Sequence, residues 1–234
     1  SFLQFNRDTM TEVALIDHNG EGEATANIQL CTAHWYGGNR EQSCENTVKS
    51  VKKLLGGIQI DGYYELNMSE IPKLNSMVDG VTVTLEDDFS KKYPKMKKGA
   101  TINLDDEQAY AYVHDRYGVG DEENTSRMKR QQQYMTGFFK KLQEKVKANP
   151  NYANEVFESL QDVSTTDIAI GKISNISNIF ASGTDKGIFE LAGKSKIGQA
   201  LGDEMDHMEF YVNKKAMVST MSELFGIVEQ KNKE

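Results

Sequence analysis

The sequence predicts an α/β protein, and three observations carry that expectation. Short alternating or β-branched segments are separated by stretches with apolar residues at helical spacing, glycine-containing turns stand between them, and no repeat, low-complexity tract or linker interrupts the succession. The expected arrangement is of the α+β kind, a mixed sheet flanked by helices. With 234 residues, three prolines and 38% hydrophobic residues, the chain is long enough to bury a real core. One domain over residues 1–234 is expected.

In chain order, residues 26–30 alternate as a strand and residues 36–39 (Tyr-Gly-Gly-Asn) read as a turn. Ser43 then suits the N-cap of a helix with Val48, Val51 and Leu55 on one face, stopped by Gly56 and Gly57. A strand is expected over 58–66. Ser69 and Pro72 open a short helix through Leu74 and Val78, and Asp79-Gly80 turns the chain into 81–85, whose period is two. The lysine-rich run 87–98 reads as a surface loop. Asp105 caps a helix carrying Ala109, Tyr112 and Val113, followed by His114-Asp115-Arg116 and a loop over 118–124. The longest helix is expected over 125–147, with Met128, Met135, Phe139, Leu142 and Val146 at helical spacing. Residues 151–234 carry amphipathic helices around 156–160, 168–179 and 217–228, and a strand at 208–212.

Composition excludes some classes of function. A net charge of -8 argues against a general nucleic-acid surface, which needs clustered positive charge to displace counterions. No window of about 18 apolar residues suits a membrane span, and the opening residues lack the charged-then-apolar pattern of a signal peptide. Cys31 and Cys44 have too few histidines around them for a zinc site. They read either as two unrelated buried thiols or as a disulfide closing a short loop, worth roughly 3 kcal/mol in the chain-entropy model.

Chemistry concentrates on the long helix. Arg127, Arg130, Gln131 and Tyr134 stand at i, i+3, i+4 and i+7, which places them on one stripe beside the apolar face. Arg127 and Arg130 lie in the first turns, where unpaired N–H groups and the positive end of the macrodipole favour an anion. The planar fork of Arg grips phosphate oxygens bidentately. His114 and Arg116 precede a glycine-containing loop able to fold them back toward the same point. Four donors converging there would form a diphosphate site. The plainer reading pairs Arg127 or Arg130 with Asp121, Glu122 or Glu123, and makes Arg7-Asp8 a surface ion pair worth under about 1 kcal/mol.

Five ordered segments carry a family likeness. Asn6-Arg7-Asp8-Thr9, Ala33-His34-Trp35-Tyr36-Gly37-Gly38, Gly80-Val81-Thr82-Val83, Asp106-Glu107-Gln108-Ala109-Tyr110-Ala111-Tyr112-Val113 and Ser126-Arg127-Met128-Lys129-Arg130-Gln131-Gln132 resemble the LytR-CpsA-Psr (LCP) family in order and spacing. The motif-bearing part covers residues 1–147, and 151–234 complete the domain. The resemblance implies a membrane-anchored, extracytoplasmic domain that holds a polyprenyl pyrophosphate in an apolar tunnel. It further implies transfer of a glycopolymer, such as teichoic acid or capsule, from that carrier to peptidoglycan, with magnesium. An alternative is a noncatalytic polyprenyl-phosphate-binding or regulatory protein, since the family also bears the label of transcriptional attenuator.

By position, the resemblance makes Arg7, Arg116, Arg127 and Gln131 diphosphate ligands, with Arg130 and Asp8 as motif residues. His114 stands where the family usually has Arg, which makes one donor pH-dependent. Arg7, Asp8, Arg116 and Arg127 are the expected catalytic set. The family's metal-binding aspartates precede the Arg-Asp-Thr motif, so its front strand and the Mg2+ ligands are expected to be missing here and no metal ligand is named. Extracytoplasmic placement favours the Cys31 to Cys44 disulfide.

Overall fold

The computed structural model describes residues 1–22 and 24–226. The chain forms two compact units, one of Ser1–Tyr63 with the chain from Lys186 onward, the other of Tyr64–Asp185. The first unit opens with β1 (Phe2–Gln4), β2 (Met10–Ala14), β3 (Thr25–Gln29) and α1 (Arg40–Leu54). The second holds β4 (Tyr64–Leu66), α2 (Ile71–Met77), β5 (Thr82–Thr84), β6 (Thr101–Asn103), α3 (Asp106–His114), α4 (Asn124–Ala148), α5 (Tyr152–Ser159), β7 (Ser164–Thr166) and α6 (Ile170–Ser182). The chain then returns to the first unit with β8 (Ile188–Glu190), β9 (Gly193–Gly198), β10 (His207–Val212) and α7 (Lys214–Phe225). The expected reach of the last helix to Val228 lies outside the described residues.

The α/β class holds, with the strands in two-stranded ladders. β1 pairs with β8 in parallel; β2 with β3, β4 with β7, β5 with β6 and β9 with β10 are antiparallel. Several of these strands are only three residues long, too short for period-two alternation to show in the sequence. The expected strand over 58–66 is confined to Tyr64–Leu66, the residues that pair with β7.

In the first unit, β2 and β3 pack Val13 and Ile28 against Ala33 of the 3-10 turn Leu30–His34. The helix α1 begins before the expected Ser43, because the Asn39 side chain accepts the Gln42 N–H at 3.0 Å and caps it. Its fully buried residues are Ser43, Cys44, Asn46 and Ser50, while Val48, Val51 and Leu55 of the expected apolar face are half-buried. Asn46 explains this: its Nδ2 donates to Ala14 O and Ala33 O, both at 2.9 Å, tying the helix to the end of β2 and to the 3-10 turn. A second cluster joins Leu191, Met217 and Met221 to Leu3, Phe5 and Leu55.

In the second unit, Val81, Val83 and Leu85 of the β5 region meet Tyr112 of α3 and Tyr134 and Phe138 of α4. Asp105 caps α3 as expected and forms a full capping box with Gln108. On α4, Phe138 is buried, and the expected Met135, Phe139 and Leu142 pack half-buried against the same core. Gly137 permits the close approach, since a Cβ there would stand 2.6 Å from Val81 Cγ1. Asn75 is the polar hub: its Nδ2 donates to Leu104 O at 3.0 Å, and its Oδ1 accepts Val81 N–H at 3.1 Å. The run 87–98 is a loop, but it buries Phe89 and Met96 and is no mere surface excursion.

Candidate functional site: a cationic corner between two helices

The end of α3 is fastened to the second turn of α4 by side chains reaching across to backbone carbonyls. Arg130 Nε donates to Tyr112 O at 3.0 Å, Arg130 Nη2 donates to Asp115 O, and Gln131 Nε2 donates to Val113 O at 3.0 Å. These bonds satisfy the carbonyls that a helix end leaves without intrahelical partners. The backbone on either side of His114, and next to Arg116, is thereby held beside α4.

Arg130 is only 1% exposed. Its Nη1 also donates to Asp87 Oδ2, and its guanidinium carbon lies 5.4 Å from the centre of the Phe89 ring. The expected role of Arg130 as a substrate ligand is therefore corrected: its donors face inward and build the corner. Its partner is Asp87, not Asp121, Glu122 or Glu123. Asp87 escaped the sequence reading because it sits 43 residues away, in a run that looks like a solvated loop. Gln133 was missed as well; it accepts the Tyr112 hydroxyl and donates to Thr84 O at 3.0 Å. Its place two residues after Gln131 on a helix gave no sign of that contact.

Arg127 and Gln131 are half-buried, as the stripe predicted. Arg127 Nη2 donates to Asn124 Oδ1 at 2.7 Å. Gln131 uses its amide N–H on Val113 O. Arg116 is half-buried and folds over the exposed ring of Tyr117. His114 is exposed, stacks on Tyr110 with ring centres 4.8 Å apart, and has Nδ1 3.2 Å from Asp115 Oδ1. Lys92 adds positive charge, 3.7 Å from the other Asp115 oxygen.

An acidic side chain occupies the N-terminus of α4. Asp121 accepts the Glu123 N–H at 2.9 Å and the Ser126 hydroxyl at 2.7 Å. These bonds hold its carboxyl below the usual carboxylate range, the Glu123 N–H contributing most. The chain thus places a carboxylate of its own beside the start of α4.

At the opposite end of α3, an open groove of about 520 Å³ is lined by Asn75, Ser76, Asp79, Asp105, Asp106 and Glu107 among others. Its acidic wall repels phosphate, so volume alone does not mark the site.

Arg7 lies in the first unit, on a turn in which Thr9 N–H donates to Asn6 O at 3.0 Å and Asp8 N–H to Asn6 Oδ1 at 2.9 Å. The turn is fixed from both sides, by Phe210 N–H on Asp8 O at 2.8 Å and Cys31 N–H on Arg7 O at 3.0 Å. The Arg7 side chain is half exposed; its Nε lies 3.6 Å from Asp8 Oδ1 and its Nη2 3.6 Å from Cys31 Sγ.

Cys31 and Cys44 are free thiols, which corrects the expected disulfide. The two sulfurs have separate neighbours: Cys31 faces Arg7, and Cys44, buried on α1, lies 3.9 Å from His34 Nε2. Burial pushes the Cys31 thiol upward against the pull of the Arg7 charge. Among the described residues, no group of three or more His, Cys, Asp or Glu side chains is placed to hold a metal ion. These residues do not fit a magnesium site. Among them, too, no helix is long and apolar enough to cross a membrane.

The fold is α/β, and Arg130 of α4 ties the backbone next to Arg116, at the end of α3, to that helix. A model of the LytR_cpsA_psr family matches residues 1–225, and the chain belongs to that family. Members of the family are cell-wall glycopolymer transferases, and their domains are generally extracytoplasmic. Solved structures agree in fold. TagV of B. subtilis is 19% identical, with 97% of this chain and 84% of that chain covered and a TM-score of 0.70. A transcriptional regulator from Enterococcus faecalis is 19% identical, with 97% and 78% covered and a TM-score of 0.71. TagT bound to LIIa-WTA is 19% identical, with 96% and 77% covered and a TM-score of 0.67. No curated protein sequence matches the chain.

Proposed function

We propose that this chain transfers a glycopolymer from a polyprenyl pyrophosphate carrier to peptidoglycan, outside the cytoplasm and anchored at the cell membrane. The observation that carries this reading is the corner itself: inward-facing Arg130 and Gln131 fix the backbone on either side of His114 and next to Arg116, while Arg116 and Arg127 remain half-buried at its edge. A half-buried guanidinium on a rigid support binds a diphosphate with little loss of conformational entropy. Family membership and the fold shared with TagT, whose structure holds LIIa-WTA, support the same ligand chemistry.

In the reaction, an acceptor sugar hydroxyl oxygen bonds to the phosphorus that carries the glycopolymer. The bond from that phosphorus to the bridging oxygen breaks, polyprenyl phosphate leaves, and the hydroxyl proton passes to a base. Arg116 and Arg127 act on the charge that develops on the phosphate oxygens. Gln131 holds α3 through Val113 O and is assigned, through the rest of its amide, to a phosphate oxygen. Arg7 and Asp8, carried from the family pattern, lie in the other unit; Arg7 is assigned to phosphate, and Asp8 either orients Arg7 or takes the proton.

The test incubates the full chain with labelled lipid-linked polymer, peptidoglycan and magnesium. Label should pass to peptidoglycan, and Arg127→Ala should slow that transfer by about a hundredfold. Binding without transfer would instead make the chain a noncatalytic carrier of lipid-linked polymer.

A further inference from the structure

Tyr117 is 75% exposed, far more than a tyrosine that serves packing. It is nonetheless engaged twice by the residue before it. The Arg116 guanidinium carbon lies 4.4 Å from the centre of the Tyr117 ring, and Arg116 Nη2 donates to the Tyr117 hydroxyl. Arg116 Nε is buried without an acceptor among the described residues. Neither Asp115 nor any other carboxylate is within ion-pair distance of Arg116 among the described residues; the Asp115 oxygens face Lys92 and His114 instead. The ring is thus what fixes this guanidinium.

We infer that Tyr117 is a positioning residue for phosphate binding, holding Arg116 by its ring face and hydroxyl in the orientation that meets the diphosphate. The inference rests on the assignment of Arg116 to the diphosphate under the proposed function. The physical reason is conformational. A long arginine side chain loses considerable rotamer freedom when it grips a ligand, and a ring that already restrains it lowers that loss. The ring also leaves the charge intact, because a cation over an aromatic face keeps outward N–H groups for phosphate. A carboxylate partner at the same place would compete with the ligand for two of those N–H groups at once and neutralise the charge, whereas the Tyr117 hydroxyl takes one N–H, on Nη2, and leaves the charge intact.

The experiment measures farnesyl pyrophosphate binding to the full chain by calorimetry at fixed ionic strength, for wild type, Arg116→Ala, Tyr117→Leu, Tyr117→Phe and the Arg116→Ala/Tyr117→Leu pair. Tyr117→Leu should raise Kd by about threefold to tenfold with an unchanged melting temperature. Tyr117→Phe keeps the ring and should recover at least half of that loss. In the Arg116→Ala background, Tyr117→Leu should have no further effect, because the two residues act as one. If Arg116→Ala weakens binding but Tyr117→Leu does not, or if Tyr117→Leu costs the same with and without Arg116, the positioning role is overturned and the site assignment stands. If Arg116→Ala leaves binding unchanged, the assignment of Arg116 fails and the inference falls with it.

Discussion

The buried guanidinium of Arg130 is paired with the carboxylate of Asp87, and through its remaining donors it holds the backbone carbonyls of Tyr112 and Asp115. One side chain therefore joins the loop after β5, the end of α3 and the second turn of α4. Removing either partner leaves a charge in a poorly hydrated place.

Asp87→Ala and Arg130→Ala should each destabilise the protein by about 3–5 kcal/mol, the cost of orphaning one member of a buried pair. Arg130→Lys should recover only part of this, since an ammonium cannot reach three acceptors in one plane. Denaturant midpoints check both. A loss below about 1 kcal/mol for Asp87→Ala would show that the pair is screened by water.

Gly120 and Gly118 give a paired test of the loop that covers Asp87. Gly120 has a φ of +57°, and a Cβ there would stand 2.5 Å from Asp87 Oδ1; Gly118 has a φ of +74° with open space around it. Gly118→Ala should cost about 1–2 kcal/mol, the ordinary penalty for a left-handed backbone. Gly120→Ala carries that penalty and also displaces Asp87 from Arg130, so it should cost more. Equal thermal shifts for the two variants would argue against close packing of the loop on Asp87.

Asp121 adds a pH-dependent component. Its carboxyl is held below the usual range by the Glu123 N–H and the Ser126 hydroxyl. A depressed native pKa contributes stability above the unfolded value, and that contribution is lost as pH falls through the native one. Asp121→Ala should thus melt earlier than wild type at pH 7, with the gap narrowing as pH falls through and below the ordinary carboxylate range. A gap independent of pH would assign the effect to packing.

The thiols give a fourth test. In denaturant without reductant, both Cys31 and Cys44 should be alkylated, as mass spectrometry would show. In the native protein, the raised Cys31 pKa keeps the thiolate fraction small near neutral pH, so its alkylation should be slow and should accelerate as pH rises. Recovery of an intact Cys31 to Cys44 bridge would overturn the free-thiol assignment.

Much of the chain was legible from local rules. The Asp105 capping box, the long amphipathic α4 and the stripe that carries Arg127, Arg130, Gln131 and Tyr134 depend on neighbours a few residues apart, and the structure contains all three. Of the three-residue strands, β5 fell within the expected 81–85 and β4 within the expected 58–66, but β1, β6, β7 and β8 were not legible, because three residues carry no period and their pairing partners lie well away in sequence. The polar buried face of α1 was hidden for a related reason: Asn46 is buried because two distant carbonyls need a donor.

For the site, the sequence by itself determined which residues carry charge and which helix edge bears them, since residue type and helical period suffice for that. Only the tertiary structure decided which arginine turns inward. Arg127 and Arg130 stand one turn apart and look alike in sequence, yet Arg130 meets Asp87 and two carbonyls in the interior while Arg127 stays at the edge. Burial of a charge is settled by the partners that the fold brings within a few ångströms, and those partners come from segments that no local pattern connects.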